Sequence, residues 1–234
     1  MTEISHDELE RLRAWDTPTI CNALEAIDPK YAASGFTTHQ MVCSNPEFGS
    51  IVGYAKTATI RARTPSPLSR SDQETITQNY YRHMAENPQP SVVIIEDLDY
   101  PAGFGAWWGE VHTTVHKGFG ALGVVTNGSI RDLDVCPSDF QMLAGNVGPS
   151  HGYVHAVDVG GDVSIFSMKV RTGDIIHADQ HGAVVIPYTA IQDLPKAIKT
   201  LTEQESRVIQ AAKSDDFSLE KFFEARKSVD TMQR

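Results

Sequence analysis

Residues 91–97 read SVVIIED, an unbroken β-branched run from Val92 to Ile95 that meets two carboxylates, Glu96 and Asp97. A strand with one face in water would alternate apolar and polar residues; this run does not, and it predicts a strand buried on both faces with a polar exit. In open α/β sheets such exits are where sites are built. The next residues extend the pattern. A glycine-rich turn from Pro101 to Gly105 leads into a predicted helix from about Ala106 to Lys117, then a short buried strand from Ala121 to Val125 that ends in TNGSIRD (126–132). This strand–loop–helix–strand unit places the chain in the α/β class.

Towards the N-terminus, Ser50 to Arg63 reads as one or two strands, TPSPLSRSD (64–72) as a loop, and the stretch from there to about Glu86 as an amphipathic helix. Ser5 and Glu8 form an S-x-x-E capping box ahead of Leu9 and Leu12, which predicts a first helix. Thr17 is expected to cap a second, with Pro18 in its first position and Ile20, Leu24 and Ile27 at apolar spacing. Turn residues prevail between Asp28 and Pro46. Downstream, SHGYVHAVDVG (150–160), VSIFSMKV (163–170), GDIIHAD (173–179) and GAVVIP (182–187) are strand-like pieces separated by Gly and Asp turns, and Thr189 to Ala212 and Phe217 to Lys227 read as helices. With no internal repeat, linker or low-complexity stretch, one domain is expected over residues 1–234, its core at about 9–190 and its C-terminal helices at about 189–227.

A length of 234 residues with 41% hydrophobic content suffices for one sizeable core. The formal charge of −10 argues against a protein that works by neutralising nucleic-acid phosphates, so an anionic partner has to be met by a local site. Cys21, Cys43 and Cys136 are odd in number and widely spaced, which suggests neither a disulfide framework nor a zinc ribbon and fits a reducing cytoplasm. The N-terminal MTEISHDELERLRAW is polar, and no run of about 18 apolar residues occurs, so neither export nor membrane insertion is expected.

Four groups of residues invite a chemical reading. GFGALG (118–123) has the letters of a dinucleotide fingerprint, but its glycines follow a helix and precede a strand, the reverse of the order that brings pyrophosphate to a helix N-terminus; a helix stop and tight turn is expected instead. His112 and His116 have the i, i+4 spacing of a metal pair but lack the Glu of H-E-x-x-H and an evident third ligand, so interfacial or solvent-facing roles are the alternative. His151, His155, His177 and His181 cluster in the strand-rich half, and Asp179 with His181 could lie at the mouth of a site, though strand histidines more often pack and hydrogen-bond. The fourth is Glu110, then twenty intervening residues, then Arg131-Asp132. An acidic residue at a helix start and an Arg-Asp pair in a loop after the next strand, with mostly apolar residues between them, stand apart from ordinary surface charges.

The segments GAWWGEVHTTVHKGFGALGVVTNGSIRD (105–132), GDIIHADQHGAVVIP (173–187) and TPTICNALE (17–25) together resemble the RraA-like family, which includes class II aldolases of 4-hydroxy-4-methyl-2-oxoglutarate and 4-carboxy-4-hydroxy-2-oxoadipate and the regulator of ribonuclease activity A. The resemblance spans about residues 9–212. It implies a compact α/β/β/α swivelling-type domain with central mixed sheets, assembled as a homotrimer or hexamer with the site at a subunit boundary. It further implies that Asp132 holds Mg²⁺ or Mn²⁺, largely through one carboxylate bond and several waters, and that Glu110 orders those waters. Arg131 would grip the 2-oxo and carboxylate oxygens, and the backbone N–H groups of Val111 and His112, after Gly109, would receive the substrate carboxylate. A C-terminal Glu of a neighbouring chain, placed at Glu205 with Glu203 as the alternative, would approach from the partner. His112 and His116 depart from the small or aliphatic residues of many relatives, and His177 and His181 are added near the presumed pocket; they could tune the substrate's distal end or merely pack.

The implied activity is cleavage of 4-hydroxy-2-oxo acids to pyruvate and a second carbonyl compound, with oxaloacetate decarboxylation through the same enolate. One rival is a non-catalytic regulator that binds a ribonuclease or RNA helicase; another is a metal-dependent hydratase or isomerase of hydroxy-oxo acids. Neither a nucleic-acid nor a membrane partner is expected.

Overall fold

A computed structural model describes residues 4–87 and 89–230. Helices α1 (His6–Leu12) and α2 (Thr17–Ile27) lead to the short β1 (Val42–Cys43), the long β2 (Ile51–Arg61), α3 (Arg70–Ala85) and β3 (Ser91–Asp97). The chain continues through β4 (Ala106–Trp108), α4 (Glu110–Gly118), β5 (Ala121–Ile130), β6 (Gln141–Val147), β7 (His155–Val159), β8 (Val163–Ile165), β9 (Met168–Val170), β10 (Ile175–Asp179) and β11 (Gly182–Ile186). Helices α5 (Leu194–Ala212) and α6 (Leu219–Asp230) follow. The sheet order is β1-β6-β5-β3-β2-β10-β11, with β4 added on β5 and β7 on β2; β8 and β9 form a separate hairpin. Strands β2, β3, β5 and β6 run parallel, while β10, β11, β7 and β1 join antiparallel. The α/β class with a central mixed sheet is as expected.

The SVVIIED strand is buried on both faces. Val93 and Ile95 join Ala58, Ile60, Val124 and Met142 under α3 and α4, whereas Val92 and Ile94 join Ile51, Val125 and Leu143 beneath the β8–β9 hairpin. Each such side chain contributes about 1.5–3 kcal/mol on burial. With both faces apolar, the core alone penalises a one-residue slip only weakly. Asn127 pins the register at the exit: its side chain accepts from the Asp97 N–H (2.7 Å) and donates to the Asp97 carbonyl (3.0 Å). A third cluster packs α1, α2 and α5 on the β10–β11 flank through Leu12, Ile20, Leu24, Val184 and Ile198.

Several boundaries differ from the sequence reading. The capping box on α1 is present, but α2 is capped by Asp16, whose side chain accepts from Thr19 N, and not by Thr17. Thr17 is buried and turns to β10, where its N–H meets Asp179 Oδ2 (2.7 Å) and its hydroxyl meets His177 Nδ1 (3.0 Å). The helix expected from Ala106 starts at Glu110, because Ala106–Trp108 pairs as a strand with Ser129 and Ile130 of β5. The strand expected to end at Val125 runs on to Ile130, and Asn127-Gly128 is absorbed as an irregularity between Thr126 and Ser129. Strand β6 was not anticipated, and α5 starts at Leu194 after a short 3₁₀ turn at Tyr188–Ala190.

His116 is fully buried rather than solvent-facing. Its Nδ1–H donates to the His112 carbonyl (2.6 Å), which leaves Nε2 to accept from the Tyr80 hydroxyl (2.7 Å), itself approached by Trp107 Nε1–H (3.3 Å). The chain Trp107–Tyr80–His116–His112 ties α4 to α3 and β4.

Burial pushes the His116 imidazole down to about 4, against about 6.5 for an exposed imidazole. Between those values the unfolded chain takes up a proton that the native state refuses, so stability rises with pH there. The contribution is fully present above about pH 6.5 and is lost as pH falls towards 4. Urea unfolding across this window is expected to show a falling midpoint, and Tyr80→Phe, which strips His116 Nε2 of its partner, to cost about 1–3 kcal/mol at pH 7.5. A His116 contribution that does not change with pH would contradict the buried neutral imidazole.

Candidate functional site

The parallel strands β3, β5 and β6 leave the core at one end of the sheet, and the candidate site is built where β5 leaves it, beside the junction of β4 and α4. The Arg131 N–H donates to the Trp108 carbonyl (2.9 Å). That bond lays the end of β5 beside the junction of β4 and α4, so Gly109-Glu110 faces Arg131-Asp132 although twenty residues separate Glu110 from Arg131 in the chain.

Contact there is close. A Cβ on Gly109 would lie 2.4 Å from Asp132 Oδ2 and 3.1 Å from Arg131 Cγ. The backbone of Gly109 is extended, with φ −163°, so glycine is required for space and not for conformation. Asp132 sits in the left-handed region at φ +59°, which Asp tolerates better than most residues, and its carbonyl accepts from the N–H groups of Val135 and Cys136 (3.1 Å each), closing a turn. Its carboxylate Oδ2 accepts from the Glu110 N–H (3.3 Å) and lies 3.6 Å from Arg131 Nε. Its Oδ1 has no hydrogen-bond partner among the described residues. The Arg131 and Asp132 side chains are 37% and 35% exposed.

Gly109 caps α4 without a side chain, and the first backbone bond within the helix is Thr113 N–H to the Gly109 carbonyl (3.0 Å). The N–H groups of Val111 and His112 therefore open the helix as donors with no partner among the described residues, and with the helix dipole they favour an anion. The His112 ring leans back over Trp107 (centroids 4.6 Å apart) and Trp108 (6.0 Å). Burial, then the Arg131 charge, pushes it down to about 4, so it is neutral at pH 7.

The chain thus brings together Gly109, Glu110, Val111, His112, Arg131 and Asp132. It does not bring Glu205 to them: Glu205 is exposed on α5, which packs on α2 and α6 at the β10–β11 flank, with β3 and β2 between that flank and β5. Glu203 is engaged with Lys199 at 4.0 Å. His177 and His181 lie at the other end of the sheet, where β10 meets the start of β2. There His177 packs fully buried against the Leu12 and Trp15 carbonyls, and Asp179 accepts from the N–H (2.8 Å) and Nδ1 (3.1 Å) of His181. Both ring nitrogens of His116 are already hydrogen-bonded, so the His112–His116 pair is not free to chelate, and among the described residues no group of three or more His, Cys, Asp or Glu residues is placed to hold a metal ion.

Sequence reasoning missed the support beneath the site. Asp97 accepts from the Gly103 N–H (2.7 Å) and Ser129 donates to the Gly103 carbonyl (2.6 Å), fastening the loop before β4 to β3 and β5. Burial holds the Asp97 carboxyl above the usual carboxylate range. The carboxylate at the end of SVVIIED, followed by a glycine-rich turn, was the available signal.

A family model described as RraA-like: Aldolase/RraA matches residues 17–185. Protein DlpA of Legionella pneumophila is 24% identical over 159 residues, covering 65% of this chain and 25% of that one, so the chain spans about a quarter of that curated relative's length. The crystal structure of an uncharacterized protein from Pseudomonas syringae superposes with a TM-score of 0.71 at 22% identity, over 97% of this chain and 96% of that one. Streptomyces coelicolor RraAS2, an unusual member of the RNase ES inhibitor RraA protein family, superposes at 0.67 with 18% identity, over 88% and 97%. At these identities the structural likeness is one of fold.

Gly109→Ala is expected to leave the fold intact and to push the Asp132 carboxylate off the Glu110 N–H. Urea unfolding should report a loss of about 1–3 kcal/mol, and a crystal structure of the variant should show the carboxylate rotated. An unmoved Asp132 in the alanine variant would mean that the close approach does not hold the pair.

Proposed function

The chain belongs to the RraA-like family, which holds both lyases and ribonuclease regulators, and we propose that it is a divalent-metal-dependent lyase that cleaves 4-hydroxy-2-oxo acids to pyruvate and a second carbonyl compound and also decarboxylates oxaloacetate. One observation carries this reading: Glu110, Arg131 and Asp132 meet beside a helix N-terminus with free N–H groups. A surface that only docks another protein has no need of that arrangement.

The residues suit a hard, hydrated cation. Asp132 offers an uncommitted Oδ1 in a partly exposed position, and Mg²⁺ or Mn²⁺ commonly keeps several waters and takes one or two carboxylates. Asp132 would hold the ion and Glu110 would order its waters. A dication there supplies Lewis-acid polarisation of the 2-oxo group.

The chain's own groups do the rest. The N–H groups of Val111 and His112 receive the C1 carboxylate, and the Arg131 guanidinium spans the carboxylate and 2-oxo oxygens with two directed bonds. As the C3–C4 bond breaks, its electron pair becomes the C2–C3 double bond, the carbonyl pair moves onto the former ketone oxygen, and the permanent charge of Arg131 meets it there. The 4-hydroxyl proton has to leave and C3 has to gain one; Glu110, and Glu205 of a neighbouring subunit, are the carboxylates assigned to hold and pass those protons.

Apolar side chains next to these residues in the chain stand exposed, Val111 70% and Leu133 42% accessible. Such a rim favours coverage by another copy of the chain in a homotrimer or hexamer. Among the described residues no helix is long and apolar enough to cross a membrane.

Pyruvate release, followed by coupling to lactate dehydrogenase, tests the assignment on oxaloacetate and on 4-hydroxy-2-oxo acids, with EDTA and then with added Mg²⁺ or Mn²⁺. Asp132→Ala is expected to abolish metal-dependent turnover, and Arg131→Ala to lower kcat on the order of 10²-fold. Near-normal activity in either variant rejects its role. An absorbance change without pyruvate would indicate isomerisation or hydration, and no turnover with any metal would leave a regulator.

A further inference from the structure

We infer that the side chain of His112 is itself a substrate-binding group of this site, donating from Nε2–H to the C1 carboxylate of the 2-oxo acid beside the amides of residues 111 and 112. The inference rests on the lyase reading and assigns it a further residue.

His112 is the third residue of α4, and a side chain at that position of a helix reaches back over the residue that caps it. The cap here is Gly109, in contact with both Arg131 and Asp132. The ring follows that direction. It lies edge-on to Trp107 and Trp108 and stacks on His116 at 5.6 Å. His116 in turn holds the His112 carbonyl at 2.6 Å, so backbone and ring are both fixed before any ligand arrives.

The two ring nitrogens have different surroundings. Nδ1 is sealed from solvent with no hydrogen-bond partner among the described residues. Nε2 also lacks a protein partner but is not sealed, and His112 as a whole is part-exposed. A buried N–H without an acceptor is rarer and costlier than a buried lone pair without a donor, so the proton of the neutral ring belongs on Nε2. The unsealed edge of the ring is therefore a fixed N–H donor beside Trp107 and Trp108, the two residues that precede the cap of α4. Being uncharged, it adds a hydrogen bond for an anion without repelling Arg131. Its acceptor is an oxygen, and the one the site places at this helix end is the substrate carboxylate.

His112→Leu, →Gln and →Asn test this on the full-length chain, with far-UV circular dichroism to confirm folding. The amide nitrogen of Gln falls near the position of Nε2, that of Asn near Nδ1. The carboxylate is bound equally before and during the reaction, so the effect belongs in KM. His112→Leu is expected to raise KM for oxaloacetate about tenfold with kcat within about threefold, Gln to restore KM to within about threefold, and Asn not to restore it. Calorimetric titration with oxalate in the presence of Mg²⁺ should show the same ranking in Kd without turnover. An unchanged KM and Kd in His112→Leu, or equal loss with Gln and Asn, overturns the donor role while leaving the lyase reading in place. A wild-type chain that neither decarboxylates oxaloacetate nor binds oxalate overturns both.

Discussion

The bond from the Arg131 amide to the Trp108 carbonyl is the constraint on which the candidate site depends. Without it, Gly109 and Asp132 would belong to separate loops. With it, the last residues of β5 lie against the first residues of α4, and one carboxylate oxygen can reach both a helix N–H and a guanidinium. The bond is placed by the pairing of β4 with β5, itself fastened by the buried Trp108 ring and by the loop that Asp97 and Ser129 hold. The chemistry at the surface is therefore set by packing and hydrogen bonds one layer below it.

Two buried imidazoles serve as fasteners, one under the helices α3 and α4 and one on β10. His116 joins α4 to α3 and β4; His177 joins β10 to the turn between α1 and α2, touching Thr17 and the Leu12 and Trp15 carbonyls. Burial lowers the proton affinity of both; His116 bonds its own helix at one nitrogen and Tyr80 of α3 at the other, while the bonds of His177 go to groups of other elements. A neutral imidazole fits this work because it has a donor at one nitrogen and an acceptor at the other, and can span two elements that each offer the complementary group.

Local composition revealed some of this and tertiary pairing concealed the rest. SVVIIED was legible because burial on both faces removes alternation, a property of the strand itself. AWW was not, since three residues are too few to show a period and become a strand only against Ser129 and Ile130. Asn127-Gly128 reads as a chain reversal, yet the Asn side chain bonds Asp97 as a neighbouring strand would, so β5 continues. Strand β6, QMLAGNV, carries no clear alternation; Gln141 anchors its start through Asn45, nearly a hundred residues earlier. The letters of Glu110, Arg131 and Asp132 could be picked out, but their adjacency depends on that same β4–β5 pairing. The His112–His116 spacing suggested a metal pair because the real partner of His116, Tyr80, lies on another helix.

The left-handed backbone of Asp132 acts as a filter on evolutionary drift. Most side chains would strain that turn by about 1–2 kcal/mol, whereas Asn and Gly settle there readily. A descendant that exchanged the carboxylate for either would keep the loop and the packing beneath it while losing the negative charge. Fold and the local negative charge are thus uncoupled at a single codon, so the scaffold can outlast a change in whatever that charge does.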